Sequence, residues 1–252
     1  MRWAARLSLL GAILTLSLAS YLAYVLVRDT PVLSGAGQPR ATASPSTVPP
    51  SPTPSPTPTL VPTPTPTPGP PKIGVVAGHW QNDSGAICED GLQEVEINLD
   101  VARRVVALLR RAGYDAEVLA EFAPQLNGYQ AAAFVAIHSD SCLNITEATG
   151  FKVARVTNSA VPHEEDYLVA CLWSEYSRAT GLAPHTGSIT SDMRQYHAFR
   201  RIAPETPGAI IELGFMYHDR TLLTKHADKV AAGVTSGIRC FVEQTLPPPE
   251  TN

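Results

Sequence analysis

Four side chains, each at the end of a predicted strand or the start of a predicted helix, have the types needed to hold and use a metal ion. His79 and His138 each end a short apolar strand, in Val-Val-Ala-Gly-His79 and Phe-Val-Ala-Ile-His138. Glu94 opens a helix after a turn-rich loop, and Glu212 ends the strand Ala-Ile-Ile-Glu212. Two imidazoles, one carboxylate ligand and one further carboxylate are the components of a hydrolytic zinc site. The sequence therefore predicts that His79, Glu94 and His138 bind Zn²⁺.

The predicted ligand set also assigns a role to the remaining carboxylate. Two histidines and one glutamate leave a coordination position open for water, and zinc lowers the pKa of that water to about 7. Glu212 would be the general base that takes a proton from this water and returns it to the departing amine. The alternative is that Glu212 forms a salt bridge with an arginine such as Arg200 or Arg201. Asn98, one turn after Glu94, is expected to orient that ligand rather than to bind metal.

Other candidate chemistries lack their sequence signatures. The chain has no Gly-x-Ser-x-Gly turn, phosphate-binding glycine loop or His-Glu-x-x-His helix. The remaining histidines are expected to be solvated surface residues, although two of them belong to a long loop that could line the site, His185 and His197; the others are His163, His218 and His226. Trp80 is either a platform for substrate or a lid on the core.

Strands and helices alternate along the part of the chain that holds these residues. The stretches with strand character are Lys72–Ala77, Asp115–Ala120, Ala133–His138, Gly150–Thr157 as an edge strand, and Gly208–Leu213. The predicted helices are Leu92–Ala112, His163–Thr180 and Asp219–Gln244, the last broken or softened at Gly233 and Gly237, with at most a short helix in Gln125–Ala132 and loops in Ala183–Pro207. Apolar strands that alternate with amphipathic helices indicate a mostly parallel α/β sheet covered on both faces.

The residues before Lys72 differ in composition from the rest. Residues 7–27 carry no charge, and at about 1.5 Å per residue a helix of that length crosses the roughly 30 Å core of a bilayer. Arg2 and Arg6 favour a cytoplasmic N-terminus, residues 1–6; a cleaved signal peptide is the alternative. Residues 28–71 are rich in Pro, Thr and Ser and form either a semi-rigid spacer or a disordered linker. The catalytic domain is then 72–244, and 245–252 is a disordered tail.

The charge balance limits the partners of the domain. From Lys72 onward fifteen Lys and Arg stand against twenty-two Asp and Glu, a formal charge of about −7. This sign argues against a nucleic-acid partner. No feature of the sequence indicates an oligomer, so a monomer is the default.

The four cysteines allow two interpretations. Cys88 and Cys142 each follow a strand that carries a predicted ligand, so they could bridge two loops and leave Cys171 to pair with Cys240 on two helices. Disulfides suit an exported domain. Four buried reduced thiols are the alternative.

Four short motifs resemble those of a known enzyme family. They are Gly78-His79, Gly91-Leu-x-Glu94-x-x-x-Asn98-Leu99, Phe134-Val-Ala-Ile-His138-Ser and Ile210-Ile-Glu212-Leu-Gly-Phe215. In order and approximate spacing they are similar to the motifs of zinc-dependent N-acetylmuramoyl-L-alanine amidases of the Amidase_3 type, from Lys72 to about Val242. Each motif is weak alone, but four in the right order are specific together.

The resemblance implies a fold, a cofactor and a reaction. The fold is a mixed, mostly parallel six-stranded sheet with helices on both faces, a three-layer sandwich of the phosphorylase/hydrolase-like kind. The site is Zn²⁺ bound by His79, Glu94 and His138, with Glu212 catalytic. The reaction is cleavage of the amide between N-acetylmuramic acid and L-alanine in peptidoglycan. We therefore expect a single-pass membrane protein with an extracytoplasmic catalytic domain, or a secreted one if the N-terminal segment is cleaved.

Two further functions and two departures from the family pattern accompany this expectation. A non-catalytic peptidoglycan-binding module of the same fold and a zinc peptidase or deacetylase of the cell wall are the alternatives. Trp80-Gln81-Asn82 replaces the glycines that usually follow the first histidine of the family. The segment between the second and third strands, longer and arginine-bearing in the family, is reduced to Glu121–Ala132. Both departures bear on substrate preference, and neither removes a predicted ligand.

Overall fold

The computed structural model of the protein describes residues 69–245, which contain one β-sheet with helices packed against it. The sheet has five strands in the order β2-β1-β3-β5-β4. They are β1 (Lys72–Ala77), β2 (Asp115–Ala120), β3 (Ala133–Asp140), β4 (Lys152–Ala154) and β5 (Gly208–Phe215). β1 pairs with β2 and with β3, and β3 pairs with β5, all in parallel, whereas β4 is antiparallel at the edge. The predicted mixed, mostly parallel α/β sheet is confirmed.

Parallel pairing brings the carboxyl ends of four strands to the same edge of the sheet, where open α/β folds place their sites. His138 on β3 lies opposite Glu212 on β5. On its other side Glu212 lies opposite Lys152 of β4. The residues that follow β1 and β2, among them His79 and Glu121, arrive at this edge as well.

The helices differ greatly in length. They are α1 (Glu94–Arg111), α2 (Pro162–Thr180), α3 (Ser191–Arg194), α4 (Arg220–Lys225) and α5 (Ala227–Thr245), with 3-10 helices at Pro124–Leu126, Thr186–Ser188 and His197–Arg200. α1 begins at a capping box in which Gln93 and Glu96 exchange hydrogen bonds. Its buried positions Ile97, Val101 and Val105 recur every four residues and form the apolar stripe that faces the sheet.

Alternate side chains of each strand face two separate cores. In β3, Val135 and Ile137 belong to a core that also contains the buried residues of α1, α2 and α5. Phe134 and Ala136 belong to the other core, which is covered by the short helices and loops between residues 120 and 132 and between 189 and 203. We call these sides the helical face and the site face. The expected helices on both faces are therefore long on one side only.

The number of strands corrects an expectation. The resemblance implied six strands, and the described residues form five. The sequence itself contains only five stretches with strand character, and each of them became a strand. The shortened segment between β2 and β3 holds one 3-10 turn, Pro124–Leu126, and is too short to contain both a further strand and its crossover connection.

The last predicted helix is also corrected. It is divided into α4 and α5 at His226, and not at Gly233 or Gly237. Both glycines lie inside α5 where it packs on α2. An added Cβ would lie 2.8 Å from Cα of Leu172 at Gly237 and 3.1 Å from Cα of Tyr176 at Gly233. The glycines therefore allow two helices to approach closely.

Of the two interpretations that the sequence left open for the cysteines, the structure has the disulfide-bonded one. Cys88 is bonded to Cys142 and Cys171 to Cys240, so none of the cysteines in residues 69–245 is free. The first bond joins the loop before α1 to the loop after β3, and the second joins α2 to α5. Four reduced thiols are excluded.

The predicted membrane span, residues 7–27, lies outside the described residues, as do residues 1–6 and the linker up to residue 68. Among the helices of 69–245, none combines the length and the apolar character needed to cross a bilayer. Thr245 ends α5, and the rest of the predicted tail also lies outside the described range.

Candidate metal centre and catalytic site

Three of the four predicted site residues meet at the carboxyl edge of the sheet. One ligand atom from each of His79, Glu94 and His138 lies within 4.8 Å of the other two. Nε2 of His79 and Nδ1 of His138 are each 3.2 Å from Oε1 of Glu94. The centroids of the two imidazole rings are 5.0 Å apart. These separations suit ligands that share one small cation, since zinc bonds to nitrogen and oxygen are about 2.0–2.2 Å long.

Two glycines let the chain close around these side chains. An added Cβ at Gly78 would lie 2.4 Å from Cε1 of His138, and one at Gly85 would lie 2.5 Å from Oε2 of Glu94. His79 has a φ of 67°, a left-handed conformation that is uncommon outside glycine and tends to occur at functional sites. The turn after β1 therefore has an uncommon backbone conformation at the residue that carries the first imidazole.

Glu94, the first residue of α1, is held in place by hydrogen bonds to both of its oxygens. It is 6% exposed. Oε1 accepts from the backbone nitrogen of Ser139 and from Nδ2 of Asn98, and Oε2 accepts from the backbone nitrogen of Ala86. Asn98 also donates to the carbonyl of Gly78. Asn98 thus contacts both the carboxylate and the turn that carries His79, as its predicted orienting role requires.

Carboxylates surround both imidazoles. Nδ1 of His79 is 2.5 Å from Oδ1 of Asp83, and Nε2 of His138 is 3.7 Å from Oε2 of Glu121. The hydrogen bond with Glu94 is the main cause that raises the pKa of His79 to about 9. Burial acts to lower the pKa of His138, but Glu94 and the other carboxylates raise it above its ordinary value. Burial likewise acts to raise the pKa of Glu94, but the two histidines lower it.

These residues fit a zinc ion. Two imidazole nitrogens and one ionised carboxylate oxygen form a donor set that zinc prefers. The neighbouring carboxylates raise the pKa of both histidines, and a dication bound between the ligands would neutralise the same excess of negative charge. The group of His79, Glu94 and His138 can therefore hold a metal ion.

Glu212 lies beside this group. Its Oε2 atom is buried and has no hydrogen-bond partner among residues 69–245. Burial is the main cause that raises the pKa of Glu212 to about 7, against the lowering effect of His138. The alternative salt bridge is not formed within the described range: neither Arg200 nor Arg201 pairs with Glu212, and Arg201 donates instead to Oδ1 of Asn127.

Glu121 is a further residue of the site, and its role was not predicted from the sequence. This residue directly follows β2, is 5% exposed, and accepts hydrogen bonds from the backbone nitrogen of His79, from Tyr196 Oη and from Nε2 of His197. Burial acts to raise its pKa, but the hydrogen bond from His197 and the charge of His138 hold the pKa of Glu121 below its ordinary value. The available signal was its position, because residues at the carboxyl ends of parallel strands share an edge.

Lys152 was missed as well. It lies in the short edge strand β4, is 4% exposed, and forms an ion pair with Asp140 of β3. It is also the neighbour of Glu212 across the sheet. Pairing with Asp140 explains how a lysine is buried here, and nothing in the sequence around this short edge strand indicated that partner.

The remaining histidines divide as expected between the surface and the long loop. Three are exposed: His163, His218 and His226. His185 and His197 are half-buried in the loop, where Nδ1 of His185 is 2.6 Å from Oγ of Ser188. Trp80 is partly buried and packs against both cores, as a lid would.

Comparison with known proteins identifies the family. The family model Amidase_3, described as N-acetylmuramoyl-L-alanine amidase, matches residues 73–240, which is more than half of the 252-residue chain. The chain belongs to this family of N-acetylmuramoyl-L-alanine amidases. It is an amide hydrolase of peptidoglycan in the cell wall, and its catalytic domain therefore acts outside the cytoplasm.

Solved amidase structures share the fold of this amidase. N-acetylmuramoyl-L-alanine amidase AmiC2 of Nostoc punctiforme superposes with a TM-score of 0.54 at 22% identity, over 68% of this chain and 97% of that one. The catalytic domain of CwlV from Bacillus (Paenibacillus) polymyxa var. colistinus gives 0.53 at 21% identity, over 69% and 98%. The amidase Ami1 of Mycobacterium smegmatis gives 0.53 at 16% identity, over 70% and 98%. A search among curated proteins finds no match to this amidase.

Proposed function

We propose that this amidase hydrolyses the bond between N-acetylmuramic acid and L-alanine with a zinc ion held by His79, Glu94 and His138, and with Glu212 as general base. One observation carries the proposal. The three ligand atoms lie within 4.8 Å of one another, and Glu212 is the cross-strand neighbour of the third ligand, His138.

The chain supplies a fixed set of ligands. A zinc ion bound there would polarise the scissile carbonyl and make the attacking water more acidic. His79 is held by its turn and by Asp83, and Glu94 by its backbone donors and Asn98. Fixed ligands limit the reorganisation that binding and reaction require.

Glu212 moves the proton in this proposal. Its buried Oε2 has no hydrogen-bond partner among residues 69–245 and is available to accept a proton from water. A pKa raised to about 7 by burial suits a group that takes up a proton from water and returns it to the amine of L-alanine near neutral pH. His138 and Lys152 are its neighbours on the two adjacent strands.

We further propose that residues 7–27 anchor the protein in the membrane and that residues 28–71 hold the domain at a distance from it. The uncharged run of residues 7–27 supports the anchor. Both disulfides are in keeping with an oxidising compartment. Edman sequencing of the mature protein from a membrane fraction tests the anchor: an intact N-terminus in that fraction supports it, whereas a soluble chain that starts after residue 20 contradicts it.

The reaction is tested on purified cell wall with full-length protein. We expect new L-alanine amino termini, loss of activity with a zinc chelator, and its return with added zinc. Release of D-alanine or acetate instead would indicate a peptidase or deacetylase, and binding without any product would indicate a non-catalytic module.

A variant separates the metal from the base. Glu212→Ala should abolish hydrolysis while one zinc ion per chain stays bound, because Glu212 is not a ligand. Undiminished turnover in this variant would refute the assigned role of Glu212.

A further inference from the structure

Glu121 is a buried carboxylate at the site to which the proposed reaction gives no role. It directly follows β2 and is 5% exposed. Buried carboxylates need hydrogen-bond donors or a cation. Glu121 has three donors, and each of them lies next to the metal centre or belongs to its wall.

The donors fix the carboxylate in one orientation. Oε1 accepts from Tyr196 Oη at 2.9 Å and from Nε2 of His197 at 2.7 Å. Oε2 accepts from the backbone nitrogen of His79 at 2.8 Å. Oε2 is thereby also placed 3.7 Å from Nε2 of His138.

His138 has a nitrogen that needs such an acceptor. Its Nδ1 faces Glu94, whereas its Nε2 is buried and has no hydrogen-bond partner in the described part of the chain. An imidazole that binds a metal through one nitrogen carries a proton on the other, and that N–H commonly donates to a carboxylate. The tautomer is fixed by this second bond.

The other histidine ligand already has this arrangement. Nε2 of His79 faces Glu94, and Nδ1 is hydrogen-bonded to Asp83 at 2.5 Å. Asp83 comes from the loop after β1 and is exposed, whereas Glu121 comes from the end of β2 and is buried. Each imidazole thus has a carboxylate oxygen near the nitrogen that does not face Glu94.

We propose that Glu121 is a positioning residue, which accepts a hydrogen bond from Nε2–H of His138 and so presents Nδ1 of that ring to the metal. The inference rests on the metal site proposed above. It predicts that the loss of the negative charge at Glu121 lowers the affinity for zinc about 10- to 100-fold. A purely structural role, in which Glu121 only ties Tyr196 and His197 to the site, predicts no such change.

Zinc affinity measured by competition with a chromogenic chelator separates these roles. The full-length protein is compared with Glu121→Gln, which keeps the size of the side chain and removes its charge. Glu117→Gln is the matched control, because Glu117 is a carboxylate of β2, the strand that Glu121 follows, and it pairs with Lys72 and Tyr129 away from the ligands. Tyr196→Phe removes one donor from Glu121 and leaves its carboxylate in place.

The expected result is a 10- to 100-fold weaker affinity for Glu121→Gln, with Glu117→Gln and Tyr196→Phe close to the unmodified protein. Cobalt-substituted Glu121→Gln should also show shifted d–d absorption bands, because the orientation of one ligand changes. Unchanged affinity and spectrum in Glu121→Gln, or an equal loss in Tyr196→Phe, would overturn the inference. Failure of the unmodified protein to bind zinc would instead refute the proposed metal site.

A measurement on the unmodified protein covers the case in which Glu121→Gln does not fold. In ¹⁵N-histidine spectra of the zinc-loaded chain, Nε2 of His138 should carry a hydrogen-bonded proton. A proton on Nδ1 of His138 would overturn the inference.

Discussion

The helical face and the site face of the sheet are covered by different kinds of structure. α1, α2 and α5 bury a continuous apolar core on the helical face, with side chains such as Leu172 fully enclosed. Short helices and loops cover the site face, and charged groups such as Glu121 and Glu212 lie at its carboxyl edge. A buried carboxylate without a partner costs free energy. The apolar core on the helical face therefore supplies stability that offsets the cost of the charged groups on the site face.

The largest expected effect is on the site side. Glu212→Gln should lower the rate of wall hydrolysis about 10²- to 10⁴-fold, because the proposed general base is lost. Steady-state kinetics on purified peptidoglycan measures it. Glu165→Gln is the matched control, since Glu165 is a buried carboxylate that accepts from the backbone nitrogen of Gly208 at the opposite end of β5. An equal loss of activity in both variants would contradict the assignment of catalysis to one edge.

A substitution that creates a cavity on the helical face should lower stability and leave the metal site unchanged. Leu172→Ala should lower the free energy of unfolding by about 2–5 kcal/mol, because it removes a fully buried side chain between α2 and α5. Denaturant unfolding measures the change, and zinc affinity of the folded protein should stay as it was. A parallel loss of zinc affinity would show that the two faces are not separate.

The buried charge of Glu212 should make the metal-free protein less stable at higher pH. Its pKa of about 7 in the folded chain exceeds the ordinary value of 4.5, so the folded state holds the proton more tightly than the unfolded state. Stability attributable to this group is therefore lost as the pH rises from 4.5 through 7. Relative to Glu212→Gln, the chelated protein should lose up to about 3 kcal/mol over that range. A difference in the free energy of unfolding between the two proteins that stays the same at every pH would contradict this.

The smallest expected effect tests the contact between α2 and α5. Gly237→Ala should destabilise the protein by about 1–3 kcal/mol, because the new Cβ would lie 2.8 Å from Cα of Leu172. Gly187→Ala is the control, since nothing lies within 4 Å of an added Cβ there. Thermal unfolding of both variants measures the difference, and equal melting temperatures would mean that the close approach is not required.

Much of the helical face could be predicted from the sequence, because its signals are local. The apolar stripe of α1 and the continuous apolar runs of β1, β3 and β5 can be recognised from neighbouring residues alone. The same applies to the arrival of His79, His138 and Glu212 at one edge, since parallel strands share their carboxyl ends. Glu94 could be placed at the start of a helix, because it follows a turn-rich loop and precedes an apolar stripe of helical period.

The parts that could not be predicted depend on contacts between distant segments. Gly237 resembles a helix breaker in the sequence, and only the approach of α2 explains it. Lys152, in a strand of only three residues, gives no sign in the sequence of its partner Asp140. Glu121 obeys the same edge rule as His138, but its role depends on donors in a loop more than seventy residues later.

The central claim is that His79, Glu94 and His138 share one zinc ion at the carboxyl edge of the sheet. X-ray absorption at the zinc edge, on full-length protein with one equivalent of zinc, tests it most directly. We expect two imidazole nitrogens and oxygen donors at about 2.0–2.2 Å from the zinc ion, with one imidazole lost in His138→Ala. A shell without imidazole, or one that His138→Ala leaves unchanged, would contradict it.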